Sequence, residues 1–169
     1  IIDAGTKVFY RLGETIENKE KVLRSHTYAP KDPYKWAQIC EHIIRHYNEG
    51  WADGFHHGIE YWEIWNEADL DHALDQWETN PYMWAGPIEE FHKLYAITAK
   101  HLKKCFPGLK IGGPSYCRIL RDKTYFPQFF EYMHDNNVPI DFVTWHKYDV
   151  DPADYVKETY MLRDWMKQY

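Results

Sequence analysis

The sequence predicts an α/β fold assembled from strand–helix–strand units. Three observations carry this reading. Short apolar runs alternate with longer stretches of helical periodicity, and the pair recurs four times. Each connection between consecutive runs is long enough for a crossover between parallel strands. No Gly/Ser linker, low-complexity tract or fixed-period repeat divides the 169 residues, a length that suits one domain with its own core.

The elements follow in order. KVFYRL (7–12) reads as a strand that ends at Gly13. Asp32-Pro33 supplies a cap and then a proline at the first helical position, and Trp36, Ile39, Cys40, Ile43 and Tyr47 follow on one helical face. Gly50 can end that helix. Residues 59–65 form the second strand. Pro87 opens a helix whose inward face is Phe91, Leu94, Tyr95, Thr98 and Leu102, stopped by Pro107-Gly108. Residues 109–111 give a short third strand running into Gly112-Gly113-Pro114. A looser helix spans about 125–136, residues 140–145 form the fourth strand, and Asp151-Pro152 starts a last helix with Tyr155, Thr159, Leu162 and Met166 on one face. Both a doubly wound sheet and a piece of a (β/α)8 barrel fit this order. A full barrel takes roughly 250 residues, so a chain of this length has room for only about half of one.

Composition excludes several classes of function. Aromatic residues make up 18% and apolar residues 44%, which is the composition of a packed chain and not of a disordered one. Twenty basic side chains face 26 acidic ones, a net charge of −6 without a basic run, so nucleic acid is not an expected partner. No apolar run approaches membrane-spanning length. Cys40, Cys105 and Cys117 are odd in number and irregularly spaced, as buried or free thiols are. The opening Ile1-Ile2-Asp3 lacks both Met and a signal pattern, so residue 1 is not expected to be the original start, and the compartment is not legible.

In either α/β architecture, functional groups collect where the strands end. Those ends carry Arg11, Glu14 and Glu17, then Asn66, Glu67 and Asp69, then Ser115 and Tyr116, and last His146, Tyr148 and Asp149. A carboxylate-rich rim with aromatic walls suits sugars. Aromatic faces cover their C–H surfaces while carboxylates and amides bond their hydroxyls. Strand alternation places Tyr61, Glu63, Trp65 and Glu67 on one face, with Glu67 at the mouth, and Trp62, Ile64 and Asn66 on the other. Phe142, Thr144, His146 and Tyr148 share a face of the fourth strand. Spacing alone leaves Glu67 open to a second reading as a capping or solvated carboxylate. Glu63 reads as structural, with Arg11 as a possible partner for its charge.

These residues resemble a known family. EIWNEADL (63–70) closely resembles the fourth-strand motif of the clan A glycoside hydrolases, retaining (β/α)8 enzymes. IDAGTKVFYRLG (2–13) is similar to the second-helix end and third strand of glycoside hydrolase family 39, the β-xylosidase and α-L-iduronidase family. His46-Tyr47 ahead of EYWEIWNEADL, EEFHKLYAITAKHLKKCFPGLKIGGP (89–114) and NNVPIDFVTWHKYD (136–149) resemble successive family segments, so the likeness covers nearly the whole chain. It implies a partial (β/α)8 TIM barrel of about strands three to six, with residues 1–169 as one catalytic-domain fragment. Glu67 matches the general acid/base, and Asn66 matches the residue that bonds the sugar 2-hydroxyl. His146 and Tyr148 match the pair that lines the catalytic centre, and Trp65 is counted with the substrate-binding residues. The chemistry explains these residue types. A glycosidic oxygen leaves only if it is protonated as its bond breaks, and the 2-hydroxyl bond strengthens in an oxocarbenium-like transition state.

The implied activity is retaining hydrolysis of a β-linked pentoside such as a xyloside, or of another plant-type oligosaccharide, with no metal or organic cofactor. Two departures stand out. Ala68 follows the Glu where the family has Pro, and Arg11-Leu12-Gly13 runs into Glu14-Thr15 where the family has Glu-Leu-Gly-Phe-Met-Pro. Retention also needs a nucleophilic carboxylate about 5 Å away, which the family places on strand seven, outside this chain. The alternative reading is a non-catalytic carbohydrate-binding or structural piece. Under either reading the open sheet edges imply self-association or docking of the missing remainder. Two rival constellations are weaker. His42 and His46 have the i, i+4 spacing of zinc ligands, but HIIRH lacks the glutamate a metalloprotease needs, and a half-exposed helix face is expected instead. DLDHALDQWE (69–78) has Leu74 where a calcium loop needs Gly, and is expected to be a solvated loop near the mouth.

Overall fold

The computed structural model describes residues 1–13, 27–117, 119, 124–148 and 150–169. Four parallel strands form one sheet in the order β1-β2-β3-β4: β1 Phe9–Leu12, β2 Tyr61–Ile64, β3 Lys110–Tyr116 and β4 Phe142–Trp145. Each strand leads into a helix, α1 Pro33–Glu49, α3 Ile88–Cys105, α4 Tyr125–Asp135 and α5 Pro152–Met166. A short α2, Leu70–Ala73, precedes α3. The elements match the expected alternation. None of the described helices is long and apolar enough to cross a membrane.

Local chemistry sets the helix ends. The Asp32 carboxylate accepts from the Tyr34 and Lys35 N–H groups while Pro33 occupies the first helical position, and Gly50 closes α1 in the left-handed conformation at φ 74°. Asp151 and Pro152 repeat the opening device at α5. The core lies between the helices and one face of the sheet. Leu12, Trp62, Ile64 and Ile111 are fully buried there, each contributing roughly 1.5–3 kcal/mol by leaving water. The five residues expected on the inward face of α3 are all buried, and Thr98 satisfies its hydroxyl on Leu94 O at 2.8 Å.

Three expectations are corrected. Ile39 is about half exposed, because the inward stripe of α1 is Ala37, Cys40 and Ile44. On α5 only Leu162 of the expected stripe is buried. Tyr155, Thr159 and Met166 are exposed, and Glu158 and Leu162 are the buried pair. Glu158 decides the rotation, since it accepts from Trp145 Nε1 at 3.1 Å and pairs with Lys147 at 3.2 Å. The third strand is longer than its apolar run and continues through Gly112, Gly113 and Pro114 to Tyr116. A central strand tolerates Pro114 because the β3–β4 register breaks between Pro114 and Tyr116. Gly112 is required by close approach, since a Cβ there would meet Phe142 O at 2.3 Å and the Phe142 ring at 2.7 Å.

Candidate active site

Strand register assembles the site. Arg11 on β1 lies opposite Glu63 on β2, and its Nε donates to Glu63 Oε2 at 2.6 Å. The Glu63 side chain is 3% exposed, so this cation compensates a carboxylate that water cannot reach. Arg11 Nη2 also donates to Ser115 Oγ at 3.2 Å and stands 3.1 Å from His146 Nε2. Ser115 Oγ lies 3.0 Å from the same nitrogen. On the other side of the ring, His146 Nδ1 is 2.5 Å from Glu67 Oε1. One polar chain thus runs Glu63–Arg11–His146–Glu67, with Ser115 beside it, and draws on all four strands.

The backbone is bent to build this rim. Trp65, Glu67 and Ser115 have positive φ of 67°, 48° and 61°. Each such non-glycine residue costs on the order of 1–3 kcal/mol, a kind of strain that gathers at functional sites. Hydrogen bonds fix the bends, from Trp65 N to Leu12 O at 2.8 Å and from Glu67 N to Ser115 O at 3.1 Å. The bend at Trp65 also ends the strand alternation. Trp65 does not follow Glu63 to the inner face. Its indole turns into the core against Trp36 and Trp84 and donates to Met83 O at 3.1 Å.

The expected site residues are therefore not all together. Glu67 and His146 are joined, and the Tyr148 ring stands edge-on to His146 at 6.4 Å and is largely exposed. Asn66 is fully buried. Its Nδ2 faces Met83 Sδ at 3.6 Å, and its Oδ1 has no hydrogen-bond partner among the described residues. Trp65 stands apart. Tyr116, read as a rim residue, is fully buried with its hydroxyl 3.1 Å from His92 Nε2, and burial holds that phenol well above its ordinary range. Glu14, Glu17 and Asp149 lie outside the described residues.

The loop after Glu67 is only partly solvated: Asp75 and Glu78 are exposed, but two of its acids are not. Asp69 is 1% exposed and accepts from Cys117 N at 3.1 and 3.0 Å. Asp71 is fully buried and accepts from the N–H groups of Tyr82, Met83 and Trp84 and from Gln76 Nε2. It organises the segment that packs behind Trp65 and Asn66. Sequence reasoning missed these roles, although two acids two residues apart directly after a buried strand were the available signal. His72 on α2 meets Gly86 O at 2.8 Å, and burial lowers its imidazole below the usual value.

Metal-capable groups lie elsewhere. His42 stacks on Trp51 with ring centroids 4.6 Å apart, and His46 Nδ1 meets Trp51 O at 3.0 Å, so both serve the turn after α1. Among the described residues, donor atoms of Glu41, His101 and Cys105 lie within 4.8 Å of one another. Glu41 is already shared between Arg45 at 2.8 Å and His101 at 2.6 Å, and the guanidinium opposes a cation there. The cysteines are free thiols.

Comparison with known proteins adds relatives to this geometry. Residues 18–168 match the profile of the family described as glycosyl hydrolases family 39. The chain is 28% identical over 161 residues to a beta-xylosidase of Caldicellulosiruptor saccharolyticus, covering 90% of this chain and 30% of that protein. It is 30% identical over 124 residues to a beta-xylosidase of Geobacillus stearothermophilus, covering 70% of this chain and 21% of that one. The crystal structure of a glucosidase from Croceicoccus marinus superposes with a TM-score of 0.80 at 26% identity, over 99% of this chain and 33% of that one. The chain thus spans about a third or less of the length of each of these relatives.

Proposed function

The chain belongs to glycosyl hydrolase family 39 and carries part of its (β/α)8 barrel, and from that premise we propose that it forms the acid/base half of a retaining glycosidase centre. Glu67 is the general acid/base. In the first step it gives its proton to the glycosidic oxygen as the bond to the anomeric carbon breaks. In the second, its carboxylate takes a proton from the water that attacks the glycosyl–enzyme. The nucleophilic carboxylate is supplied from outside these 169 residues. Asn66 bonds the sugar 2-hydroxyl once substrate entry opens its side chain, which is fully buried against Met83 here, and its unpartnered Oδ1 is then satisfied by that hydroxyl. His146 and Tyr148 flank the acid, and Trp65 contributes as the wall behind Asn66. The substrate class is a β-xyloside or a related β-linked glycoside, in keeping with the names of the two relatives.

The single observation that carries the proposal is the 2.5 Å contact between Glu67 and His146 where parallel strands end. The test is Glu67→Gln in the full-length parent. Turnover of alkyl glycosides is expected to fall roughly 10²–10⁴-fold, with a smaller loss for aryl glycosides whose leaving groups need no protonation. Equal rates on both substrates would remove Glu67 from the role. A second reading, carbohydrate binding without cleavage, follows from the need for that second carboxylate. Titrating the isolated chain with xylo-oligosaccharides separates the two. Binding without hydrolysis supports the second reading for the isolated chain, and hydrolysis by it excludes it.

A further inference from the structure

We propose that Arg11 is a positioning residue that sets the tautomer of His146 and so decides which oxygen of Glu67 carries the transferable proton. A guanidinium has five N–H donors and cannot accept a hydrogen bond. Its Nη2 lies 3.1 Å from His146 Nε2, so that nitrogen must offer a lone pair. Ser115 Oγ, 3.0 Å away, can turn its hydroxyl proton to the same lone pair while accepting from Arg11 at 3.2 Å. The ring proton is then on Nδ1, facing Glu67 Oε1 at 2.5 Å. The ion pair with Glu63 at 2.6 Å holds Arg11 in place, and Glu63 is itself buried at the matching register position.

The consequence falls on Glu67, and it deepens the acid/base reading above, on which it rests. With His146 protonated at Nδ1, Glu67 Oε1 is an acceptor whether the carboxyl is ionised or not. The acid proton is therefore confined to Oε2, the oxygen that does not face His146. With the opposite tautomer, Nδ1 would be an acceptor, and a protonated Glu67 would spend its proton on the histidine. Among the described residues, the groups that face His146 are Arg11, Ser115, Glu67 and the edge of Tyr148. Of these, only Arg11 can never be an acceptor for a proton on Nε2.

The test reads the ring nitrogens of His146 by long-range ¹H–¹⁵N NMR on the 169-residue chain labelled at histidine, at one pH near neutrality. In the wild type, Nδ1 is expected to carry the proton and Nε2 to be bare. Arg11→Met, which keeps the aliphatic stem and removes the donors, should let Nε2 gain a proton. Ser115→Ala should leave Nε2 bare. A wild-type spectrum with a protonated Nε2 overturns the proposal, as does a bare Nε2 in Arg11→Met or a protonated one in Ser115→Ala. If Arg11→Met does not fold, the wild type and Ser115→Ala still decide. The outcome is separable from the fate of the acid/base reading. Wild-type rates in the parent Glu67→Gln enzyme would end that reading without moving the His146 spectrum.

Discussion

His92 illustrates what burial does to a single residue. It sits on α3 with 2% exposure, ringed by Phe91, Phe129 and Tyr132, with Tyr116 as its hydrogen-bond partner. Burial pushes its imidazole down to about 4. An unfolded histidine titrates near about 6.5, so below that pH the unfolded chain binds a proton that the folded chain refuses. The stabilisation is complete above pH ~6.5 and is lost as pH falls toward ~4, a change of about 3 kcal/mol. Urea midpoints should drop across that window, and His92→Gln should flatten the drop. A midpoint in wild type that is equal at pH 7 and pH 4.5 would contradict the assignment. At this scale the ion pair of Arg11 with Glu63 was legible, because alternation puts a carboxylate on an inner face that must find a cation. The inward turn of Trp65 was not legible, because it depends on a positive φ that no residue type at that position announces.

At the scale of elements, the loop after β2 depends on Asp71 as the core depends on its apolar stripes. Its carboxylate takes three consecutive backbone N–H groups, at 2.9, 2.6 and 2.9 Å. Asp71→Ala leaves the buried Met83 and Trp84 donors unmatched, at roughly 1–3 kcal/mol for each one left without a partner. The denaturation midpoint should fall accordingly, and the amides of Tyr82, Met83 and Trp84 should exchange faster with solvent. Unchanged exchange would show that the loop is held by something else. Helix rotation follows the same logic. Apolar spacing placed five buried residues of α3 correctly, with Thr98 bonded within its own helix, but gave no sign of His92, which is buried beside them. It failed on α5, where a buried glutamate bonded to Trp145 and Lys147 fixes the rotation and apolar periodicity carries no record of it.

The whole molecule carries the cost of a partial barrel. Among the described residues, β1 and β4 are the outer strands of the sheet, and parallel sheets are ordinarily covered on both faces. The face opposite the core shows a cluster of Phe9, Tyr61 and Phe142, with centroids 5.2–6.1 Å apart. Phe9 is 50% exposed. Exposed aromatics beside open strand edges favour association. Sedimentation of the isolated chain should therefore show a mass that rises with concentration, and Phe9→Lys should weaken that dependence. A single monomeric species at every concentration, with a cooperative melt, would count against it.

The order of strands and helices, the parallel crossovers and the place of Glu67 directly after a buried strand are all legible in local sequence. These rest on periodicity, caps and local spacing, which neighbouring residues encode among themselves. Long-range packing joins Arg11, Ser115 and His146 into one chain with Glu67, buries Asp69 and Asp71 as anchors, and turns Trp65 to the core. Those contacts join residues up to 135 positions apart. They are set by strand register and by the need to partner buried charge, neither of which is written in any local stretch of the chain.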